Sequence, residues 1–190
     1  MGLLDSLLGR NKPAKANLDA LFALPQAAVT LEVASGFKPT GIGAVCYRAN
    51  EGAAFASMQS DIQELLDADG GPAVQRSEDS YGFTWLVCRQ EPDALSELVT
   101  ELHTVNTTLE DHGFGPSLLC SVVGFKGPEN QTLGLVYLYK RGTFYPFAPT
   151  GAEHRNNALE LQIRGQIADD VPLEKDLGRW LAIWGAPGLS

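Results

Sequence analysis

Lys140 and Arg141 are the residues best placed to do chemistry. They stand between Leu133-Gly-Leu-Val-Tyr-Leu-Tyr139 and Gly142-Thr-Phe-Tyr-Pro-Phe-Ala-Pro149. Two cations beside Tyr137, Tyr139, Phe144 and Tyr145 suit a carboxylate or a phosphate, with cation–π support from the rings. The bland alternative is a hairpin tip whose rings pack on the core and whose cations are solvated. Catalytic patterns are missing elsewhere. His103, His112 and His154 have no metal-ligand spacing, and no Ser or Cys sits in a nucleophile elbow. Gly41-Ile-Gly43 precedes an apolar run instead of following one, which is the wrong context for a phosphate loop. Glu64, Asp67 and Asp69, like Glu110-Asp111, read as solvated helix faces. The residues point to no catalytic set, no metal and no cofactor.

Cys46, Cys88 and Cys120 each lie inside an apolar, strand-like run, at spacings of 42 and 32 residues. An odd count so spaced is neither a disulfide framework nor a zinc pattern, and buried free thiols in a reducing cytoplasm fit better. The net charge of −9 is uneven. Residues 1–50 carry five basic and three acidic side chains, residues 51–130 three and fourteen, and the remainder six of each. Such a middle repels nucleic acid and anionic lipid, so membrane contact is expected only from the N-terminus.

The elements that must position these residues follow from periodicity. Leu133 to Tyr139 alternates as a strand, with Leu133, Leu135, Tyr137 and Tyr139 on one face and Gly134, Val136 and Leu138 on the other, so both faces look covered. Lys140-Arg141-Gly142 turns the chain, and Thr143–Phe147 returns extended until Pro146 and Pro149 end the ladder. Upstream, Asn17 caps a helix to about Ala23, and Pro25 opens another to Ser35, with Gly36 at its end. Ala28–Val33 also reads as a strand, and periodicity does not decide between the two. Ile42–Arg48 is a strand. Ala53–Ala68 is a helix burying Phe55, Met58, Ile62, Leu65 and Leu66. Val74–Glu78 and Phe83–Arg89 form a hairpin turning at Asp79–Gly82. Pro92-Asp93 starts the longest helix, to about His112. Leu118–Phe125 is a strand, Asn156 or Asn157 caps a helix to about Ala168, and Trp180 and Trp184 lie on a final helical face docked on the domain or anchoring a partner.

This order predicts an α+β fold, one domain over residues 16–190, with an antiparallel sheet of about five strands and helices on one face. The ordering is ferredoxin-like, with a secretion-chaperone-like α+β sandwich as the competitor. Residues 1–15 form a separate amphipathic segment. Leu3, Leu4, Leu7 and Leu8 make a stripe followed by Arg10, Lys12 and Lys15, which suits a membrane interface or a partner helix. A helix docked on the domain, or a frayed end, fits the same residues. No apolar run approaches membrane-spanning length, and no signal peptide is evident.

Together, Leu135-Val-Tyr-Leu-Tyr-Lys-Arg-Gly-Thr-Phe-Tyr-Pro-Phe-Ala-Pro149, Asn17-Leu-Asp-Ala-Leu-Phe22, Asp79-Ser-Tyr-Gly-Phe-Thr-Trp-Leu-Val87 and Arg179-Trp resemble the PspA-associated protein family PspAB, as does Met1-Gly-Leu-Leu-Asp-Ser-Leu-Leu-Gly-Arg10. The resemblance implies a non-enzymatic accessory or adaptor role in the phage-shock envelope-stress response, with a PspA-like coiled coil as partner. It implies a cytoplasmic location with peripheral contact at the inner membrane face through residues 1–12, and it transfers no catalytic residue. The alternative is a module that binds a peptide or small anionic ligand at the Lys140-Arg141 hairpin.

Overall fold

In the computed structural model the described residues are 16–48, 74–151 and 153–189, together with Ser60, Gln63, Glu64, Asp67 and Ala68. Leu3, Leu4, Leu7, Leu8 and most of the helix expected at Ala53–Ala68 lie outside them.

The chain enters through a 3₁₀ turn, Leu18–Ala23. Asn17 does not cap it with its side chain; its carbonyl instead accepts from the Ala20 N–H at 3.2 Å. Helix α1 (Leu24–Ser35) follows, with Pro25 in its first turn and Gly36 closing it at φ 73°. This settles Ala28–Val33 as helix. The 18 residues Leu18–Ser35 are, by length and composition, apolar enough to cross a membrane, against the expectation from the sequence. They bury Leu21, Leu24, Ala27 and Leu31 in the core of the domain.

Strand β1 (Lys38–Arg48) leads to β2 (Gln75–Glu78) and β3 (Phe83–Arg89). Helix α2 (Leu95–Asp111) then crosses to β4 (Leu118–Lys126), and β5 (Thr132–Leu138) and β6 (Thr143–Phe147) complete the sheet. The six strands lie in the order β2-β3-β1-β4-β5-β6, every pair antiparallel. This is one strand more than the expected five or so, because Thr143–Phe147 pairs fully with β5. Pro146 sits inside this edge strand instead of ending it. The ferredoxin-like ordering also needs a helix between β1 and β2. Only Ser60, Gln63, Glu64 and Asp67 are described as helical there, so the α+β sheet is established and that ordering is not.

A short ribbon of β7 (Pro149–Gly151) and β8 (His154–Arg155) leads into helix α3 (Asn157–Gln166). The Asn156 side chain caps α3, accepting from the Leu159 N–H at 3.0 Å. The three helices pack on the sheet, and α2 comes so close that a Cβ on Gly43 would meet Leu102 Cδ1 at 2.9 Å. The expected C-terminal helix is not there. Only Leu177–Arg179 is 3₁₀, and residues 180–189 run as an irregular strap over the opposite face of the sheet.

Two glycines let the strap approach. A Cβ on Gly124 would stand 2.5 Å from the Gly188 carbonyl oxygen, and one on Gly134 3.1 Å from Leu189. Gly124→Ala is therefore expected to cost about 1–3 kcal/mol by overpacking. Gly165→Ala, in α3 with nothing within 4 Å of the new methyl, is expected to be neutral or to stabilise by up to about 1 kcal/mol. Thermal melts of the two variants check the pair; equal melting temperatures would contradict the close approach of the strap.

Candidate functional site

The Lys140-Arg141 turn is built as expected, but its surroundings are not an aromatic cage. The Arg141 and Gly142 N–H groups both donate to the Leu138 carbonyl, at 3.1 and 2.8 Å, and Gly142 takes φ 67°. Tyr137, Tyr139, Phe144 and Tyr145 are all buried, and they divide between two layers. On the helix side, Tyr137 packs on Phe144 with ring centroids 5.2 Å apart and donates its hydroxyl to the Asn17 carbonyl at 2.7 Å. Tyr139 donates to Glu110 at 2.9 Å. Burial pushes the Tyr137 hydroxyl up to about 12. Tyr145 faces the strap and donates to the Leu181 carbonyl at 2.9 Å.

Lys140 is exposed, and Arg141 faces a buried carboxylate instead of a vacant site. Glu174 is 3% exposed. It accepts from the Thr143 hydroxyl at 3.1 Å, from Arg141 Nε at 3.4 Å and from the Asp176 N–H at 3.0 Å, with Arg179 3.6 Å away. Burial alone would raise its pKa, but the Asp176 N–H, Thr143 and Arg141 outweigh that and hold it below the ordinary carboxylate range. Backbone bonds zip the same segment onto β6, from Phe144 N–H to the Pro172 carbonyl at 2.7 Å and from Glu174 N–H to the Phe144 carbonyl at 2.8 Å.

Among the described residues an apolar concave site lies on the other face, where periodicity placed side chains but could not show what covers them. The row Trp85–Cys46–Cys120–Leu138 runs across β3, β1, β4 and β5, with Val87–Ala44–Val122–Val136–Tyr145 beside it. Over these rows the strap lays Trp180, which stacks on Tyr145 at 6.0 Å, and Trp184, edge-on to Phe147 at 5.0 Å. Between strap and sheet remains a pocket of about 350 Å³. Its walls are mainly apolar, among them Phe83, Trp85, Leu119, Tyr145, Ile183 and Trp184, and Arg48 and Asp79 also line it.

Asp79 is already committed. One carboxylate oxygen accepts from the Tyr81 and Phe83 N–H groups at 2.9 and 3.0 Å, and the other from Trp85 Nε1 at 2.9 Å. The turn at Asp79–Gly82 foreseen from the sequence thus also orients the ring that walls the pocket. The Tyr81 hydroxyl reaches across to Glu153 at 2.7 Å, joining this turn to the ribbon. A second, wider groove of about 940 Å³ adjoins, lined by Thr132, Asn156, Ile183 and Trp184 among others.

The smaller pocket suits an apolar chain or ring of modest size. Two tyrosines, Tyr81 and Tyr145, line it, and burial pushes the Tyr145 hydroxyl well up. Among the described residues no group of three or more His, Cys, Asp or Glu converges on a metal position.

The Glu174 contacts predict a pH dependence. A carboxylate with a depressed folded pKa contributes stability that is present above its unfolded pKa and lost as pH falls through the folded one. Melting temperature is expected to drop in the native chain as pH falls through and below the ordinary carboxylate range, and Glu174→Gln is expected to flatten that part of the profile. Parallel profiles would remove Glu174 as an anchor.

Neither a curated protein nor a solved structure matches the chain. A family model described as PspA associated protein B matches residues 1–188, nearly the whole chain and including the hairpin, the turn at Asp79 and most of the strap, so the chain belongs to the PspAB family.

Proposed function

We propose that the protein is a non-enzymatic accessory of the phage-shock envelope-stress response, an adaptor that associates with a PspA-type coiled coil at the cytoplasmic face of the membrane. The observation that carries this reading is the family match over residues 1–188, whose description names association with PspA. The sequence adds a contact segment: Leu3, Leu4, Leu7 and Leu8 on one helical stripe, with Arg10, Lys12 and Lys15 behind. The acidic middle of the chain disfavours anionic lipid, which leaves residues 1–12 as the element for lipid or coiled-coil contact.

Binding of a peptide or small anion at Lys140-Arg141 is the second reading. It is the weaker one, because Arg141 is already engaged by Glu174 and the four neighbouring rings are core residues. Arg141→Ala separates the two roles. Loss of affinity for a phosphopeptide at unchanged melting temperature supports a recognition site; a lower melting temperature alone supports an anchor for Glu174.

The adaptor reading is tested by co-sedimentation with vesicles containing anionic lipid, using the full chain and a 1–12 deletion, each with and without PspA. The expected result is pelleting that requires PspA or residues 1–12 while the deletion leaves the melting temperature unchanged. Failure of the full chain to pellet under any of these conditions would overturn it.

A further inference from the structure

Cys46 and Cys120 are directly opposed on β1 and β4, the two central strands, and both project into the layer beneath the strap. Opposed residues of antiparallel strands stand about 4.5–5.5 Å apart at Cα. Disulfides span about 4.4–6.8 Å, so opposed positions of this kind fall within bridging range. The two side chains lie in the same apolar layer, side by side across the β1–β4 ladder. Both residues line the 350 Å³ pocket, so a small solute that enters reaches them directly. Cys88 belongs to the helix-side layer and is fully buried on the opposite face of the sheet. Packing as small apolar side chains would account for burial of the two thiols, but not for their direct opposition at a pocket.

We propose that Cys46 and Cys120 form a site of reversible oxidation, a cross-strand dithiol that a small peroxide entering the pocket converts to a disulfide. Cys120, the more exposed at 7% against 3% for Cys46, attacks as its thiolate. The peroxide O–O bond breaks, leaving a sulfenic acid on Cys120 and a hydroxide, which takes up a proton to become water. Cys46, the more deeply buried of the two, is the resolving thiol. Its sulfur then displaces the sulfenic oxygen, which leaves as a second water while the S–S bond forms. The balance is two thiols and one hydrogen peroxide giving one disulfide and two waters. The sulfurs lose the electron pair that the peroxide gains.

The test treats the folded full chain with hydrogen peroxide, blocks remaining thiols with an alkylating agent in denaturant, and reads intact mass and linked peptides. The expected product has lost two hydrogens, carries label on Cys88 only, and shows a Cys46–Cys120 crosslink that a dithiol reductant reverses. Cys88→Ser should still form the bridge, whereas Cys46→Ser should stop at an oxygenated Cys120 with no intramolecular bridge. Tryptophan fluorescence should change on oxidation, since Trp85 is the cross-strand neighbour of Cys46. A bridge to Cys88, or one that forms only in denaturant, would overturn the proposal. So would full labelling of all three cysteines after prolonged peroxide treatment.

Discussion

The structure depends on a sheet with two apolar faces. A helix layer can cover one of them, and it does: α1 and α2 bury Leu24, Leu31, Leu98 and Leu102 against Val45, Val123 and Leu135. The other face carries Trp85, Val122, Val136, Tyr145 and Phe147. Each such side chain left in water would forfeit roughly 1.5–3 kcal/mol of burial. The C-terminal strap answers that demand with Trp180, Ala186 and Leu189. Its irregular backbone suits the task, because bare glycine at 124 and 134 lets it lie directly on the strands, where a helix would stand off.

An irregular strap must satisfy its polar groups without a ladder, and two buried glutamates organise that. Glu174 receives Thr143, Arg141 and the Asp176 N–H, while its own carbonyl accepts from Trp180 Nε1 at 3.1 Å. Glu160, 2% exposed, accepts from the Ala148 N–H and from Arg155 Nε, both at 2.9 Å; Arg155 in turn donates to the Trp180 carbonyl at 2.8 Å. Buried carboxylates persist only when paired in this way. Trp180 is thus held from both sides, by Glu174 and by Arg155. Arg141 and Arg179 are explained by this internal requirement before any ligand is invoked.

Much of the fold was legible from local chemistry. Pro25 and Gly36 bracket α1, the 3.6-residue stripe of Leu95 to Leu109 marks α2, and Asp79–Gly82 marks the hairpin turn. The alternation of Leu133–Tyr139 implied two covered faces, and this is what the strand shows. The division of the hairpin rings between the layers, Tyr137, Tyr139 and Phe144 on the helix side and Tyr145 under the strap, emerged only with the pairing of β6. Non-local features were not legible. The four-residue spacing of Trp180 and Trp184 fits a helix, yet it arises in a segment shaped by contacts with Tyr145 and Phe147, more than 30 residues away in sequence. The opposition of Cys46 and Cys120 depends on strand register across a gap in the chain that contains a hairpin and a helix.

On the proposed function the folded domain is a platform, its sheet covered by helices on one face and by the strap on the other, and binding to a PspA-type coiled coil is assigned to the leucine stripe of residues 1–12. Hydrogen exchange of the full chain with and without purified PspA tests that division most directly. The account predicts slower exchange within residues 1–12 when PspA is added, with the amides of β1, β4 and β5 unchanged. Unaltered exchange at the N-terminus, or slowing confined to the strap and the pocket beneath it, would contradict it.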